Sequence, residues 1–554
     1  MIRKIIFLMP LLYLIFGCEQ YDIVIRNGTI YDGTGSKPYV GDVAISEDKI
    51  RLIKEKISEK GKTEIDAKGL AVTPGFINML SWATTSLIAD GRSLSDIKQG
   101  VTLEVFGEGW SMGPLNEEMK EQELADMGEL KYDIDWTTLG EYLESLQRRG
   151  VSTNVASFLG ATTLRIHEIG FEDRQPTAQE LKNMKTLVRE AMEEGALGIG
   201  SSLIYAPAFY SSTEELIELC KVASEYDGMY ISHLRSESNQ FLEALDELLT
   251  IAKEANIRAE VYHLKAGGKP NHYKMDLAIE KINKARESGL DIATDMYTYV
   301  AGATGLNAHM PPWVQEGGYE KWVERLKDPN IREKVKIEMT TDTDEWENLG
   351  YLAGPEGVLF ANFRNPDLRK YTGKTLKEVA DDMGKHYADV AMDFVIQDGS
   401  RVGVVYFLMS EKNVKKQIKL PYMSFGSDAG SIAPEGRFLN SNPHPRAYGN
   451  FARLLGKYVR DEQVIPLESA VHKLTGLSAD KLKIKNRGYL KEGYFADVVI
   501  FDPSTIQDHA TFTEPHKLAT GVHHVWVNGE QVLKDGQHTG AMPGRVVRGP
   551  GYKK

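Results

Sequence analysis

From about residue 71 to residue 297 the chain repeats one rhythm: a short apolar run, then a longer stretch in which apolar positions recur every three or four residues. MYISH at 229–233 is a run of the first kind. In FLEALDELLTIAKEA, which follows, Phe241, Leu242, Leu245, Leu248, Leu249 and Ile251 share one helical face. IRAEVYH, ending at His263, is β-rich again. The same reading gives candidate strands at 71–79, 101–107, 153–159, 196–202, 229–233, 258–263, 290–297 and 421–428. Helical segments such as TAQELKNMKTLVREAMEEG and TEELIELCKVASEYDG lie between most of them. Strands alternating with crossover helices predict an α/β fold, here a (β/α)8 barrel. A doubly wound sheet is the competing arrangement.

Two departures from the rhythm set the domain plan. Both ends of the chain carry short strands and turns, with Asn27-Gly28 and Asp32-Gly33 near one end and Asn528-Gly529 and Asp535-Gly536 near the other. They are expected to pair into one small β domain, residues 19–70 with 480–554, around a barrel spanning 71–479. The gap between the seventh and eighth strands exceeds one crossover and holds its own helices. It predicts an inserted subdomain at 305–420, before the last barrel strand and over the barrel mouth. A chain that opens and closes in a β unit favours the barrel.

Composition adds little to this plan. The chain has 554 residues, 42% of them hydrophobic, which suits a large globular domain with an accessory one. A net charge of −13 argues against nucleic acid as a partner. Residues 1–18 differ: Arg3 and Lys4 precede an apolar run from Ile5 to Phe16 that ends in Gly17-Cys18. This reads as a secretory signal of the bacterial lipoprotein type, with Cys18 lipidated. The expected location is the cell envelope, in the periplasm or at the outer membrane, touching membrane through the N-terminal lipid alone. Ordinary secretion or a soluble periplasmic protein is the alternative. The other cysteine, Cys220, sits in a helical run, so no disulfide framework is expected.

Chemistry collects at the strand ends. In a βαβ unit the strands are parallel, so His233 and His263 fall on the same, C-terminal, edge of the sheet, where α/β enzymes build their sites. The second strand leads into Glu108 and the eighth into Asp428. A carboxylate and two imidazoles suit zinc with a position left open for water, and a second carboxylate can take that water's proton. Against this stand plainer roles: Asp428 as a helix N-cap, Glu108 as a solvated loop residue, the histidines as caps.

Read together, IVIRNGTIYDGTG, TPGFIN, KQGVTLEVFGEG, LGIGSSLIYAPAFYSSTEEL, YISHLRSE, VYHLKAGG, DMYTYVAGATGL, FGSDAG, HPRAYGNFARLLGKYVR and GYLKEGYFADVVIFDP resemble the amidohydrolase superfamily, and within it the N-acyl-D-amino-acid deacylases. The resemblance runs from about Tyr21 to Gly551. It implies a metal-bearing (β/α)8 barrel with a β domain from both termini, and hydrolysis of the amide bond of N-acyl-D-amino acids or D-residue dipeptides. It also implies that Lys265, Tyr297 and Arg446 hold the substrate α-carboxylate. One departure stands out. The family often places His-x-His after the first strand, whereas here Leu80 and Trp82 occupy those positions and Asn78 replaces an Asp. Neither Leu nor Trp binds a metal, so the expected cofactor is one tightly held Zn2+ on Glu108, His233 and His263, with Asp428 as the catalytic base. The partner is a small-molecule substrate; oligomeric state stays open. Another amidohydrolase acting on a cyclic amide or a dipeptide is the first alternative. A noncatalytic ligand-binding lipoprotein, supported by the missing His-x-His alone, is the second.

Overall fold

The computed structural model describes residues 20–128 and 130–553. Eight barrel strands follow in chain order: β1 (Phe76–Asn78), β2 (Val101–Phe106), β3 (Asn154–Ser157, resuming at Leu159–Gly160), β4 (Gly198–Ser202), β5 (Met229–His233), β6 (Arg258–Val261), β7 (Ile292–Met296) and β8 (Met423–Phe425). Each pairs in parallel with the next. The circle closes between β8 and the chain leaving β1, where Met79 N donates to Phe425 O at 3.1 Å. Nearly every strand residue is buried, as expected where helices cover one face and the barrel interior the other. The helix between β5 and β6, Phe241–Glu254, buries Phe241, Ala244, Leu245, Leu248, Ile251 and Ala252 against the barrel. The helix Ala178–Glu194 starts at a capping box formed by Thr177 and Glu180.

The terminal sheet has nine strands drawn from both ends of the chain. Its seam is Ala71–Pro74 antiparallel to Val498–Phe501, with Val72 opposite Ile500. Residues 71–74, expected in the first barrel strand, therefore belong to this sheet, and the chain enters the barrel at Gly75. A Cβ there would lie 2.0 Å from Thr102 Oγ1, so only glycine makes the crossing. The other end needs a similar correction. Residues 543–549 leave the sheet and line the underside of the barrel, where Val547 N donates to Val155 O at 2.8 Å and Gly549 N to Gly195 O at 2.8 Å. The helix Gly476–Leu482 packs Ala479 and Leu482 into the apolar floor of the barrel and so extends it past residue 479.

The insertion has a core of its own, with Trp322, Phe360, Phe394 and Tyr406 packed together. Its three-stranded antiparallel sheet joins Gly302–Gly305, Gly403–Tyr406 and Val358–Asn362, so it begins slightly before residue 305. It also ends before 420, because the helix Glu411–Ile418 buries Val414 and Ile418 in the barrel core. The leader at 1–18 and Cys18 lie outside the described residues. Among the described residues no helix is long and apolar enough to cross a membrane.

Candidate metal centre and active site

The ladders between strands continue past the strand ends, and this sets the site. Asp428 N donates to Leu80 O at 2.8 Å, and Trp82 N to Ala429 O at 3.0 Å. Ser81 N donates to Val105 O at 2.8 Å. The loops after β1, β2 and β8 are thus held side by side at the C-terminal rim. Glu108 is carried between two glycines in the left-handed region, Gly107 at φ +109° and Gly109 at φ +73°. A Cβ on Gly109 would fall 2.7 Å from Ser202 Cβ. His263 (φ +31°) and Asp428 (φ +49°) themselves adopt left-handed backbone, a sparsely populated state that clusters at functional sites. Both lie beyond the strands they were assigned to, and the overshoot is what turns them over the barrel axis.

Glu108, His233 and His263 are all buried and bring their donor atoms within 4.8 Å of one another. Glu108 Oε1 lies 3.0 Å from His233 Nδ1 and 2.7 Å from His263 Nε2. The imidazoles meet edge to face, with ring centroids 4.6 Å apart. Each presents its other nitrogen to Glu237, at 3.3 Å for His233 Nε2 and 3.1 Å for His263 Nδ1. Two nitrogens and a carboxylate oxygen, buried and converging, with a second carboxylate behind both rings, are a donor set that fits a divalent cation of the zinc type. The charges are already paired. Burial raises the Glu108 carboxyl, but the two imidazoles, His263 foremost, pull it well below the usual carboxylate range. Burial and Lys265 both lower His263, yet Glu237 and Glu108 outweigh them and raise it to about 10. Glu237, buried but flanked by His233, Lys265 and His263, falls to about 2.

Asp428 is joined to this cluster through the Trp82 indole, which also donates to Glu108 Oε2 at 2.9 Å. Its Oδ2 pairs with Arg446 Nη1 at 2.7 Å, and its Oδ1 accepts from the Trp82 indole at 3.1 Å. Burial raises its carboxyl above the ordinary value, with the Arg446 charge opposing. The Arg446 guanidinium lies over the Tyr297 ring at 4.4 Å, and its Nε is buried without a hydrogen-bond partner among the described residues. Tyr297 is buried beside His263, its ring facing Arg446 and its hydroxyl 3.6 Å from Met409 Sδ. His444, next to Arg446, accepts from Arg446 N at 3.0 Å and contacts Ala301 O at 2.9 Å, which fixes the loop that delivers Arg446.

Lys265 is placed differently from its expected role at the substrate carboxylate. Its ammonium donates to both Glu237 oxygens, at 2.7 and 2.8 Å, and lies 2.6 Å from His263 Nδ1. It is buried behind the metal-type ligands, where its charge balances Glu237. Met310 and Trp313, at the start of the insertion, are packing residues: Met310 is buried in the insertion core, and Trp313 donates to Glu338 at 2.8 Å.

Glu237 was not singled out from sequence, although HLRSE puts it four residues after His233. Glu347, from the insertion, was equally hidden: it accepts from Ser236 Oγ at 2.6 Å and Ser238 Oγ at 2.8 Å and so clamps the loop carrying Glu237.

A closed parallel barrel with such a centre at its C-terminal rim, and a β-sheet built from both chain ends, defines a metal-dependent amidohydrolase. Residues 421–533 match the model of an amidohydrolase family. The D-aminoacylase of Alcaligenes xylosoxydans xylosoxydans is 32% identical over 96% of this chain and 98% of its own length. A solved D-aminoacylase, described for one-metal activation and second-metal attenuation at a binuclear centre, superposes with a TM-score of 0.78 at 31% identity, covering 95% of this chain and all of the other. An N-acyl-D-glutamate deacylase from Bordetella bronchiseptica, complexed with zinc and a phosphonate mimic of the tetrahedral intermediate, gives 0.79 at 28% identity over 96% of this chain and 100% of the other. The chain belongs to the D-aminoacylase family of amidohydrolases.

Proposed function

We propose that the protein is a zinc-dependent deacylase that hydrolyses N-acyl-D-amino acids to a carboxylic acid and a free amino acid, using one tightly bound ion. The observation that carries this is the pairing of the Glu108–His233–His263 donor set with an Asp428 carboxylate held by Arg446 at the same barrel rim. Glu108, His233 and His263 would hold the ion, and Glu237 and Lys265 orient the imidazoles from behind. A zinc ion in such a site supplies Lewis acidity toward the amide carbonyl and a water acidic enough to lose its proton near neutral pH. Asp428, raised by burial, accepts that proton and returns it to the leaving nitrogen. Arg446, held on Asp428 through Nη1, offers the rest of its guanidinium to the substrate carboxylate, for which that planar group is the fitting shape. The D preference comes from the relatives.

The test is to purify the chain from residue 19 onward, measure zinc by elemental analysis and assay paired N-acetyl-D- and N-acetyl-L-amino acids. About one zinc per chain with D-selective release of acetate supports the reading. Hydrolysis confined to cyclic amides sinks it.

Residues 1–18 are proposed to direct export, and Cys18 to carry a lipid that tethers the enzyme in the cell envelope. Metabolic labelling with a fatty acid, lost in Cys18→Ala, tests this; an unlabelled wild type refutes it.

A further inference from the structure

We propose that Trp82 is a positioning residue that takes the place of a second cation, tying the carboxylates of Glu108 and Asp428 together through one indole N–H and committing the centre to a single ion. The inference rests on the metal-dependent reading above and goes further in assigning a role to a residue that binds no metal.

The geometry is specific. Trp82 Nε1 lies 2.9 Å from Glu108 Oε2 and 3.1 Å from Asp428 Oδ1. Two carboxylates that share one small space repel, and such pairs ordinarily need a cation or a shared proton between them. Here the group between them is a neutral donor with no lone pair to offer a metal. Its backbone cannot drift, because Trp82 N is bonded to Ala429 O and the preceding ladder holds Leu80 to Asp428. Leu80, the other position where a ligand could stand, is fully buried in the apolar interior of the barrel. Neither residue after β1 therefore supplies a ligand for a second ion.

The indole also divides the work of each acid between its two oxygens. Glu108 keeps Oε1 toward the imidazoles while Oε2 is held by Trp82. Asp428 has Oδ2 on Arg446 and Oδ1 on Trp82, which fixes the plane of its carboxylate. Hydrogen bonds to charged groups are stronger than those between neutral groups, which helps to hold both planes. Trp82 remains 38% exposed while its indole N–H is engaged by the two acids.

The experiment uses metal-free full-length mature protein titrated with cobalt(II), reading stoichiometry and the visible ligand-field spectrum, beside steady-state kinetics on an N-acetyl-D-amino acid. Three variants are compared with wild type: Trp82→Phe, which removes the N–H; Trp82→Gln, which keeps a donor; and Trp82→His, which adds a lone pair. Wild type and Trp82→Phe should each bind one cobalt. The Phe variant should show an altered cobalt spectrum and a kcat lower by 10- to 100-fold, with KM within about threefold. Gln should recover part of the loss, and His should take up a second cobalt. A Phe variant with unchanged spectrum and kcat overturns the proposal, as does a wild type that binds two ions. If Phe fails to fold by thermal melting, the Gln and His arms still decide. Should wild type hydrolyse no N-acyl-D-amino acid, the substrate reading falls, while the cobalt arms continue to judge Trp82.

Discussion

The backbone N–H of His263 donates to Asp295 Oδ1 at 2.8 Å, at the residue whose φ is +31°. Asp295, on β7, thus holds the turn that swings His263 off the end of β6 and toward Glu108. Burial first, and the neighbouring Glu260 second, raise the Asp295 carboxyl well above its ordinary value. Asp295→Asn preserves that acceptor and should leave zinc affinity within a few-fold of wild type. Asp295→Ala removes it and should weaken zinc by about 10- to 100-fold, as losses behind metal ligands usually do. Calorimetric titration of the metal-free protein checks both.

Glu237 reaches both imidazoles and Lys265. Glu237→Ala should weaken zinc by about 10- to 100-fold and also lower the melting temperature, because it leaves a buried ammonium unpaired. Adding Lys265→Met to that variant should return part of the stability and little of the affinity. Parallel melting curves and zinc titrations separate the two effects.

Asp428→Asn keeps the shape of the side chain and removes the base. Zinc content should stay at the wild-type level while kcat falls by about 10²- to 10⁴-fold. Retained kcat would assign the proton transfer to another group.

Asp96, on the short helix Leu94–Ile97, is buried and accepts from Asn78 Nδ2 at 3.1 Å. Burial raises its carboxyl to about 7. The folded protein therefore holds a proton that the unfolded chain releases near the ordinary value of 3.8. The stability this contributes is complete below about pH 4, declines as pH rises, and is gone above about pH 7. Asp96→Asn cannot ionise, so its melting temperature minus that of wild type should grow from pH 5 to pH 8. A gap that stays constant across this range contradicts the assignment.

Gly109→Ala tests the backbone that delivers Glu108. A methyl there meets Ser202 Cβ at 2.7 Å and strains a φ of +73°. The variant should lose zinc before it loses its fold, by at least tenfold in affinity, measured against a circular dichroism spectrum that stays native.

The barrel was legible because period-two and period-3.6 patterns alternate through most of it, and because His233, His263, Glu108 and Asp428 close on the same rim. What sequence hid was direction and partnership. A run such as AVTPGFIN is largely apolar, and nothing in it shows that Ala71–Pro74 pairs with Val498–Phe501 while Phe76–Asn78 pairs with β2. Lys265 reads as an available cation until Glu237 is seen beside it, and Glu237 is brought there by a loop without periodicity. Trp82 was legible as a lost ligand; only the structure shows that it bonds to both acids.

The seam between Ala71–Pro74 and Val498–Phe501 also sets a schedule. Ala71–Pro74 is made early, but its partner Val498–Phe501 follows only after more than four hundred further residues have been synthesised. At roughly 5–20 residues per second, that interval is about 20 to 85 seconds. Throughout it the apolar strand Ala71–Pro74 has an unpaired edge on a growing chain. A nascent protein of this design depends on something else to cover that edge, and its yield in a cell should follow the supply of chaperone more closely than the stability of the finished barrel.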